Sequence, residues 1–343
     1  MLQIAIVGLG WAGSRHVEAI RELGQKITVE CLVDNDEEFL LEKSREFAVE
    51  KTYTSLDAAL ADPQVDAISI CLPHALHCDA AVQAAQAGKH VLCEKPMALT
   101  VEEATRMIDV AGQEGVKLFV AENVPCSPMS RFLRDVVQTG RHIGEVVSAF
   151  VSRGFQAKPS YAYPGRRAWL STPEMGGTGI WMLHGIHTMG QLRFVLGEVE
   201  TVYMQEHHAS SFSRTDLEGT MSGLFTMEGG FQVRVLQTCE VKLSGELGGF
   251  VIHGDRGSLK AWQDGYEFVG EGSGEGEARL NYPESGLSDY ALEMEAFADF
   301  VAGVSVGPTT GVSERRSLAI VQAGYESAAS GKPVHLRERF GDI

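Results

Sequence analysis

The chain has 343 residues, enough for two hydrophobic cores of ordinary size, and its 44% hydrophobic and 22% charged content is that of a globular protein, not a disordered or fibrous one. Its formal net charge of −17 opposes the phosphates of nucleic acid, so no nucleic-acid partner is expected. No apolar run approaches the roughly 20 residues of a membrane span, so no membrane passage is expected either.

The predicted elements begin at once. "LQIAIV" has no basic flank and no small-residue cleavage site, so it reads as a first strand and not as a targeting signal. Six cysteines, at 31, 71, 78, 93, 126 and 239, are scattered through mostly apolar segments, as reduced and buried thiols would be. A cytoplasmic protein is expected.

The apolar runs "LQIAIV", "ITVECLV", "DAISICL", "HVLC" and "KLFV" alternate with helical patterns such as "SRHVEAIREL" and "HCDAAVQAAQAG". That rhythm predicts βαβ units and a parallel sheet covered on both faces. It stops near Ala121. A helix from Met129 to Thr139, a strand from Glu145 to Arg153, and a loop rich in Pro, Tyr and Gly up to about Gly179 come next. "TMSGLFTM" and "FQVRVLQTC" alternate apolar and polar residues, as strands with one wetter face do, and predict a second, largely antiparallel sheet. "EGSGEGE" reads as an exposed turn, and helices are predicted at about Ser288 to Ala302 and Ser313 to Ala329. The expected fold is α/β: a doubly wound parallel-sheet domain over residues 1–122, then a 123–343 domain with a large, open, mainly antiparallel sheet.

Gly8, Gly10 and Gly13 in "IAIVGLGWAGSRHVEAI" fall directly after a strand and at the mouth of a helix. Glycines there permit a tight turn, close approach of backbone to a pyrophosphate and close helix-to-strand packing, with the helix N-terminus facing the anion. The second strand ends at Asp34, 21 residues after Gly13, where a carboxylate accepts from ribose hydroxyls. Its charge repels a 2′-phosphate, so NAD is expected ahead of NADP, with Arg15 or Lys43 as possible compensating cations.

These residues, together with "CLPHALHCDAAVQAAQAGKHVLCEKPMALT", resemble the glucose-fructose oxidoreductase and inositol dehydrogenase family, Gfo/Idh/MocA, whose signature is an EKP following a Rossmann strand. "STPEMGGTGIWMLHGIHTMGQLRFVLG", "VIHGDRGSLKAW" and "AIVQAGYESAASGKPVHL" are similar to the family's glycine-rich segment, later hairpin and closing helix. The resemblance implies an NAD(P)-dependent oxidoreductase. It also implies cofactor contacts from Gly8, Gly10, Trp11, Ala12, Gly13, Asp34, Pro73, His74, His77, Glu94 and Lys95, and a cis Lys95–Pro96 bond.

Lys95 stands at the C-terminal end of a parallel strand, where open α/β sheets bind ligands. A lysine facing a nicotinamide and an alcohol can hydrogen-bond the reacting oxygen, and desolvation brings its pKa toward neutrality. Glu94 restrains it. The second catalytic candidate is His187 in "LHGIHTMG", an acid or base by its intrinsic pKa, with His184 one turn away as a substrate contact. The family pattern D-x-G-x-H-x-x-D is broken here, because Leu183 and Gly190 stand where the aspartates would be. That loss weakens an inositol-type assignment. The two histidines lack a third ligand, so no metal is expected.

Between Glu145 and Glu174 there is no acidic residue, while Arg153, Lys158, Arg166 and Arg167 are interleaved with Tyr161, Tyr163 and Trp169. Arginine forks of this kind, Arg166 and Arg167 above all, suit an anionic substrate; contact with the cofactor phosphates or with a neighbouring subunit are the two other readings. Asn123 is a further substrate candidate where the chain leaves the last Rossmann strand. An open sheet face needs covering, which predicts a homodimer or homotetramer. A regulator that senses ligands on the same fold, and an enzyme that keeps its nicotinamide and shuttles hydride between two substrates, are the alternative functions.

Overall fold

The computed structural model describes residues 1–156, 165–176, 179–208, 218–243, 247–270 and 280–343. "EGSGEGE", Lys158, Tyr161, Tyr163 and the side chain of Arg167 lie outside the described residues. The chain forms two compact units: Met1–Cys126 with Tyr163–Gly177 and Gly286–Arg315, and Ser127–Ala162 with Thr178–Ser285 and Arg316–Ile343. They are not the two consecutive stretches that the rhythm of elements suggests. Two later segments return to the first unit.

In the first unit, strands β1 (Leu2–Val7), β2 (Ile27–Val33), β3 (Thr52–Tyr53), β4 (Ala67–Ile70), β5 (His90–Glu94) and β6 (Leu118–Ala121) form one parallel sheet in the order β3-β2-β1-β4-β5-β6. The chain winds outward from β1 to β3, then returns to begin again beside β1 with β4, and this reversal opens a crevice at the C-terminal strand ends. β4 and β6 are buried along their whole length; β6 is a continuous apolar run without alternation, and Ser69 is the one polar residue of β4.

Helix α1 (Trp11–Leu23) follows β1 directly and ends at Gly24 in the left-handed conformation, φ 68°. Helix α2 (Glu37–Glu46) is capped by the Asp36 side chain, which accepts from the Phe39 N–H. The predicted helix near Ser288 is observed at Asp289–Val301, and it packs in this unit: Phe297 is fully buried with its ring 6.0 Å from that of Phe119. Apolar burial of this kind, about 25 cal/mol per Å², outweighs the lack of sequence proximity.

The second unit holds β7 (Val146–Gly154), β8 (Val199–His207), β9 (Thr220–Met227), β10 (Gln232–Thr238), β11 (Gly249–Gly254), β12 (Gly257–Trp262), β13 (Gly265–Gly270) and β14 (Val334–His335), ordered β13-β12-β11-β7-β10-β9-β8-β14. Only the β10–β7 pair is parallel. Alternation predicted β9 and β10 correctly: Val233 and Val235 are buried while Gln232 and Arg234 are exposed. The predicted helix at Met129 spans Pro128–Thr139, begun by a Ser127 cap. Among the described residues no helix is long and apolar enough to cross a membrane.

Candidate active site

The glycine loop is built by steric exclusion. Gly8 has φ +89°, and a Cβ there would stand 2.5 Å from the Cys71 carbonyl oxygen. A Cβ on Gly13 would overlap the Gly8 carbonyl, so helix and loop close on each other only without side chains. Gly10 differs: a Cβ there meets nothing within 4 Å. Gly10 is also the N-cap of α1 and, lacking a side chain, makes no cap hydrogen bond, and a helix N-terminus of this kind favours an anion. The open volume at Gly10 and the uncapped helix together fit a dinucleotide pyrophosphate. Ala12 is half-buried and Trp11 is 51% exposed in this turn, with the Trp11 ring edge-on to Tyr290.

Asp34, at the end of β2, is buried and already engaged. Its Oδ2 accepts from the Leu9 N–H at 3.0 Å and its Oδ1 from the Asp36 N–H at 3.1 Å, which ties the acid to the glycine loop. The segment Gly165–Gly176 is anchored to this same unit. Arg166 donates to Asp34 Oδ1 at 2.6 Å and to Asp36 Oδ2 at 2.7 Å, with its guanidinium 3.9 Å from the Phe39 ring centroid. The arginine expected to grip a substrate is therefore bonded to the acid at the end of β2 and to the acid that caps α2. Arg15 and Lys43, the cations proposed from sequence, bond Glu18 and Glu46 instead.

At the end of β5, Glu94 is buried and Lys95 half-buried, and the Lys95–Pro96 bond is cis. Glu94 Oε2 accepts from the Lys95 N–H at 3.1 Å, and Oε1 faces Nε2 of the fully buried His16 at 3.1 Å. His16 Nδ1 lies 2.7 Å from Ser69 Oγ. Burial opposes charge on both partners. Contacts with Cys71 and Glu94 nevertheless hold His16 well above the ordinary histidine range, while the His16 hydrogen bond and the charges of His16, Lys95 and His77 bring Glu94 below the carboxylate range. Both directions describe one buried ion pair under the reactive strand end. Sequence reasoning missed His16, although it lies eight residues from Gly8 and on the inner face of α1.

His74 and His77, the two histidines expected at the cofactor, each bond backbone carbonyls of the first unit. His77 has no exposure and sets Nδ1 2.9 Å from the Pro96 carbonyl oxygen and Nε2 2.8 Å from that of Leu72, which ties the turn just after Lys95 to the turn that follows β4. His74 donates from Nδ1 to the Gly176 carbonyl at 2.7 Å and packs edge-on against Trp169. Burial and the charges of His77 and Lys95 hold it well below the ordinary histidine range, so it is a neutral anchor for the Gly165–Gly176 segment. Pro73 begins the turn before His74 and is half-buried. Asn123 accepts from the Cys126 N–H through its carbonyl and closes a short turn.

His184 and His187 belong to the second unit. Trp181–Gly185 forms a π-helical turn that runs into the helix Ile186–Leu196, and both histidines are half-buried, their rings 6.2 Å apart. A π turn is a frequent device at functional sites. Here it is enforced by a buried acid: Glu218 accepts from the Trp181 N–H at 2.7 Å and the Tyr325 hydroxyl at 2.8 Å on Oε1, and from the Gly179 N–H at 3.1 Å on Oε2. The Trp181 ring is packed so closely that a Cβ on Gly185 or Gly324 would strike it. Leu183 is buried where the family's acid would stand, and Gly190 is buried in the following helix. Neither Glu218 nor Tyr325 carries a local sequence signal.

A doubly wound sheet with an uncapped helix at a glycine loop, an acid at the end of β2 and a lysine at the end of β5 defines a dinucleotide-dependent oxidoreductase. The model of the oxidoreductase family with an NAD-binding Rossmann fold matches residues 2–122, and the GFO/IDH/MocA C-terminal domain matches residues 130–260. The chain belongs to the Gfo/Idh/MocA family of NAD-binding oxidoreductases. It is 30% identical over 296 residues to the 1,5-anhydro-D-fructose reductase of Ensifer adhaerens, covering 85% of this chain and 86% of that one. It is 29% identical over 203 residues to the myo-inositol 2-dehydrogenase of Thermotoga maritima, covering 59% and 57%. An oxidoreductase from Agrobacterium radiobacter, solved with NAD+, L-tartaric acid and magnesium, shares the fold with a TM-score of 0.84 at 22% identity over 99% of each chain.

Proposed function

We propose that this protein oxidises or reduces a secondary alcohol of a small hydroxylated molecule (a sugar, polyol, sugar acid or cyclic diol), with NAD as its first cofactor. The observation that carries this reading is Lys95 at the C-terminal end of β5, on the sheet edge that also bears Gly10 and Asp34, with its backbone fixed by the Glu94–His16 pair. When bound, the nicotinamide supplies the hydride chemistry. Lys95 hydrogen-bonds the reacting oxygen and stabilises charge on it, and His187 takes or returns its proton.

The residues in hand narrow the substrate. Leu183 and Gly190 remove the carboxylates that would grip adjacent ring hydroxyls, which points away from inositol. Arg166 is engaged with Asp34 and Asp36, so an anionic substrate would depend on Arg167 and on His184. Phe150 and Val269, exposed on one face of the second sheet, support self-association as a homodimer or homotetramer. A cytoplasmic location suits the six free cysteines.

The test is to incubate the protein with NAD and a panel of polyols, sugar acids, anhydro sugars and aromatic dihydrodiols while following NADH absorbance. Turnover lost in Lys95→Met is the expected result. NAD binding without turnover on any member would favour the ligand sensor, for which the missing acid at Leu183 is the supporting observation.

A further inference from the structure

Asp34 and Arg166 form a pair with more in it than repulsion of a 2′-phosphate. A carboxylate offers about four acceptor positions. Three on Asp34 are taken, by the Leu9 N–H, the Asp36 N–H and Arg166 Nη2. A ribose diol brings two hydroxyls, so it gains a full set of bonds only by taking the place of Arg166. The guanidinium then keeps its bond to Asp36 and its seat on Phe39, since both are independent of Asp34. Its side chain is 41% exposed, so the guanidinium is accessible from solvent.

We propose that Arg166 and Asp34 are a two-way key for the adenosine ribose, each masking the other until a cofactor selects one of them. The diol of NAD uses Asp34 and leaves Arg166 on Asp36. The 2′-phosphate of NADP cannot bond Asp34, but it would meet the guanidinium released toward it, which offsets part of the local negative charge and can bind phosphate oxygens in a fork. The chain therefore accepts both dinucleotides, although an acid stands at the end of β2. This inference deepens the cofactor assignment above and rests on it.

The test is direct titration of the unliganded protein with NADH and with NADPH, read by nicotinamide fluorescence, for wild type, Arg166→Leu and Asp34→Asn, with circular dichroism confirming each fold. Wild type is expected to bind both. Loss of charge-assisted bonds, about 1.5–3 kcal/mol, corresponds to a roughly tenfold to hundredfold weaker NADPH in Arg166→Leu with NADH unchanged or tighter; Asp34→Asn is expected to weaken NADH and spare NADPH. Equal weakening of both ligands in Arg166→Leu, or a wild type that binds NADH and not NADPH, overturns the two-way key and leaves the dehydrogenase assignment standing. Binding of neither by wild type overturns both.

Discussion

The glycine loop of the first unit and the histidine turn of the second both shape the start of a helix, and they do so with opposite materials. The loop works by subtraction: Gly8 and Gly13 are places where a single methyl group would collide with backbone, and Gly10 keeps a volume empty. The turn works by addition, since a buried carboxylate, Glu218, reaches across from the strand β9 end to hold N–H groups that no local residue satisfies. Subtraction leaves a mark in a short stretch of sequence. Addition depends on partners far along the chain, and it makes the second region the more vulnerable to a single change.

The largest stability effect is therefore expected there. Glu218→Leu strands the Trp181 and Gly179 N–H groups and the Tyr325 hydroxyl in a dry setting, at about 1–3 kcal/mol for each group left unmade. A loss of about 3–5 kcal/mol in chemical denaturation is expected; a loss under about 1 kcal/mol would mean that the turn holds itself.

The two glycines separate packing from ligand space. Gly13→Ala forces overlap with the Gly8 carbonyl and is expected to cost about 1–3 kcal/mol of stability. Gly10→Ala places its methyl in open space at an ordinary φ of −62°, so the melting temperature should hold while NADH affinity falls about tenfold. If both variants unfolded alike, the open volume at Gly10 would not be a ligand's.

The smallest effect sharpens the account of buried charge in the first unit. Glu293, on the helix Asp289–Val301, is 1% exposed and neither carboxyl oxygen has a hydrogen-bond partner. Burial, with the charges of Glu94, Glu122 and Asp289, pushes its pKa well above the carboxylate range, and His16 only partly opposes this. The native state then holds a proton that the unfolded chain releases above its ordinary carboxyl pKa. Stability is accordingly lost as pH rises from that value toward the folded pKa. Glu293→Met is expected to stabilise by about 1–2 kcal/mol at pH 8 and by less at pH 4.5. Thermal melts at the two pH values check the sign, and a gain larger at the acid end would contradict it.

The first region was legible because its signals are local or periodic. Apolar runs predicted strands β1, β2, β4, β5 and β6, and "EKP" after a buried run located Lys95. The histidine turn was half legible: His187 and the substitutions at Leu183 and Gly190 are visible in the sequence, but the π turn is held by Glu218 and by the Trp181 ring packed against Gly185 and Gly324, the last of them 143 positions from Trp181. The partners of Arg166 were not legible for a related reason. A reversal of charge sign along the chain shows that a cation needs a partner, and only the fold shows that Asp34 and Asp36, about 130 residues earlier, provide it.

The central claim is that Lys95 handles the reacting oxygen and does not merely help to seat the cofactor. Once the substrate panel has yielded a reactive alcohol, Lys95→Met should be compared with wild type for both NADH affinity and kcat. The account predicts kcat lower by about 10²–10⁴-fold, the worth of a positioned general acid or base, with the NADH Kd within about twofold of wild type. A variant that turns over at the wild-type rate, or loses activity only through weaker NADH binding, would contradict it.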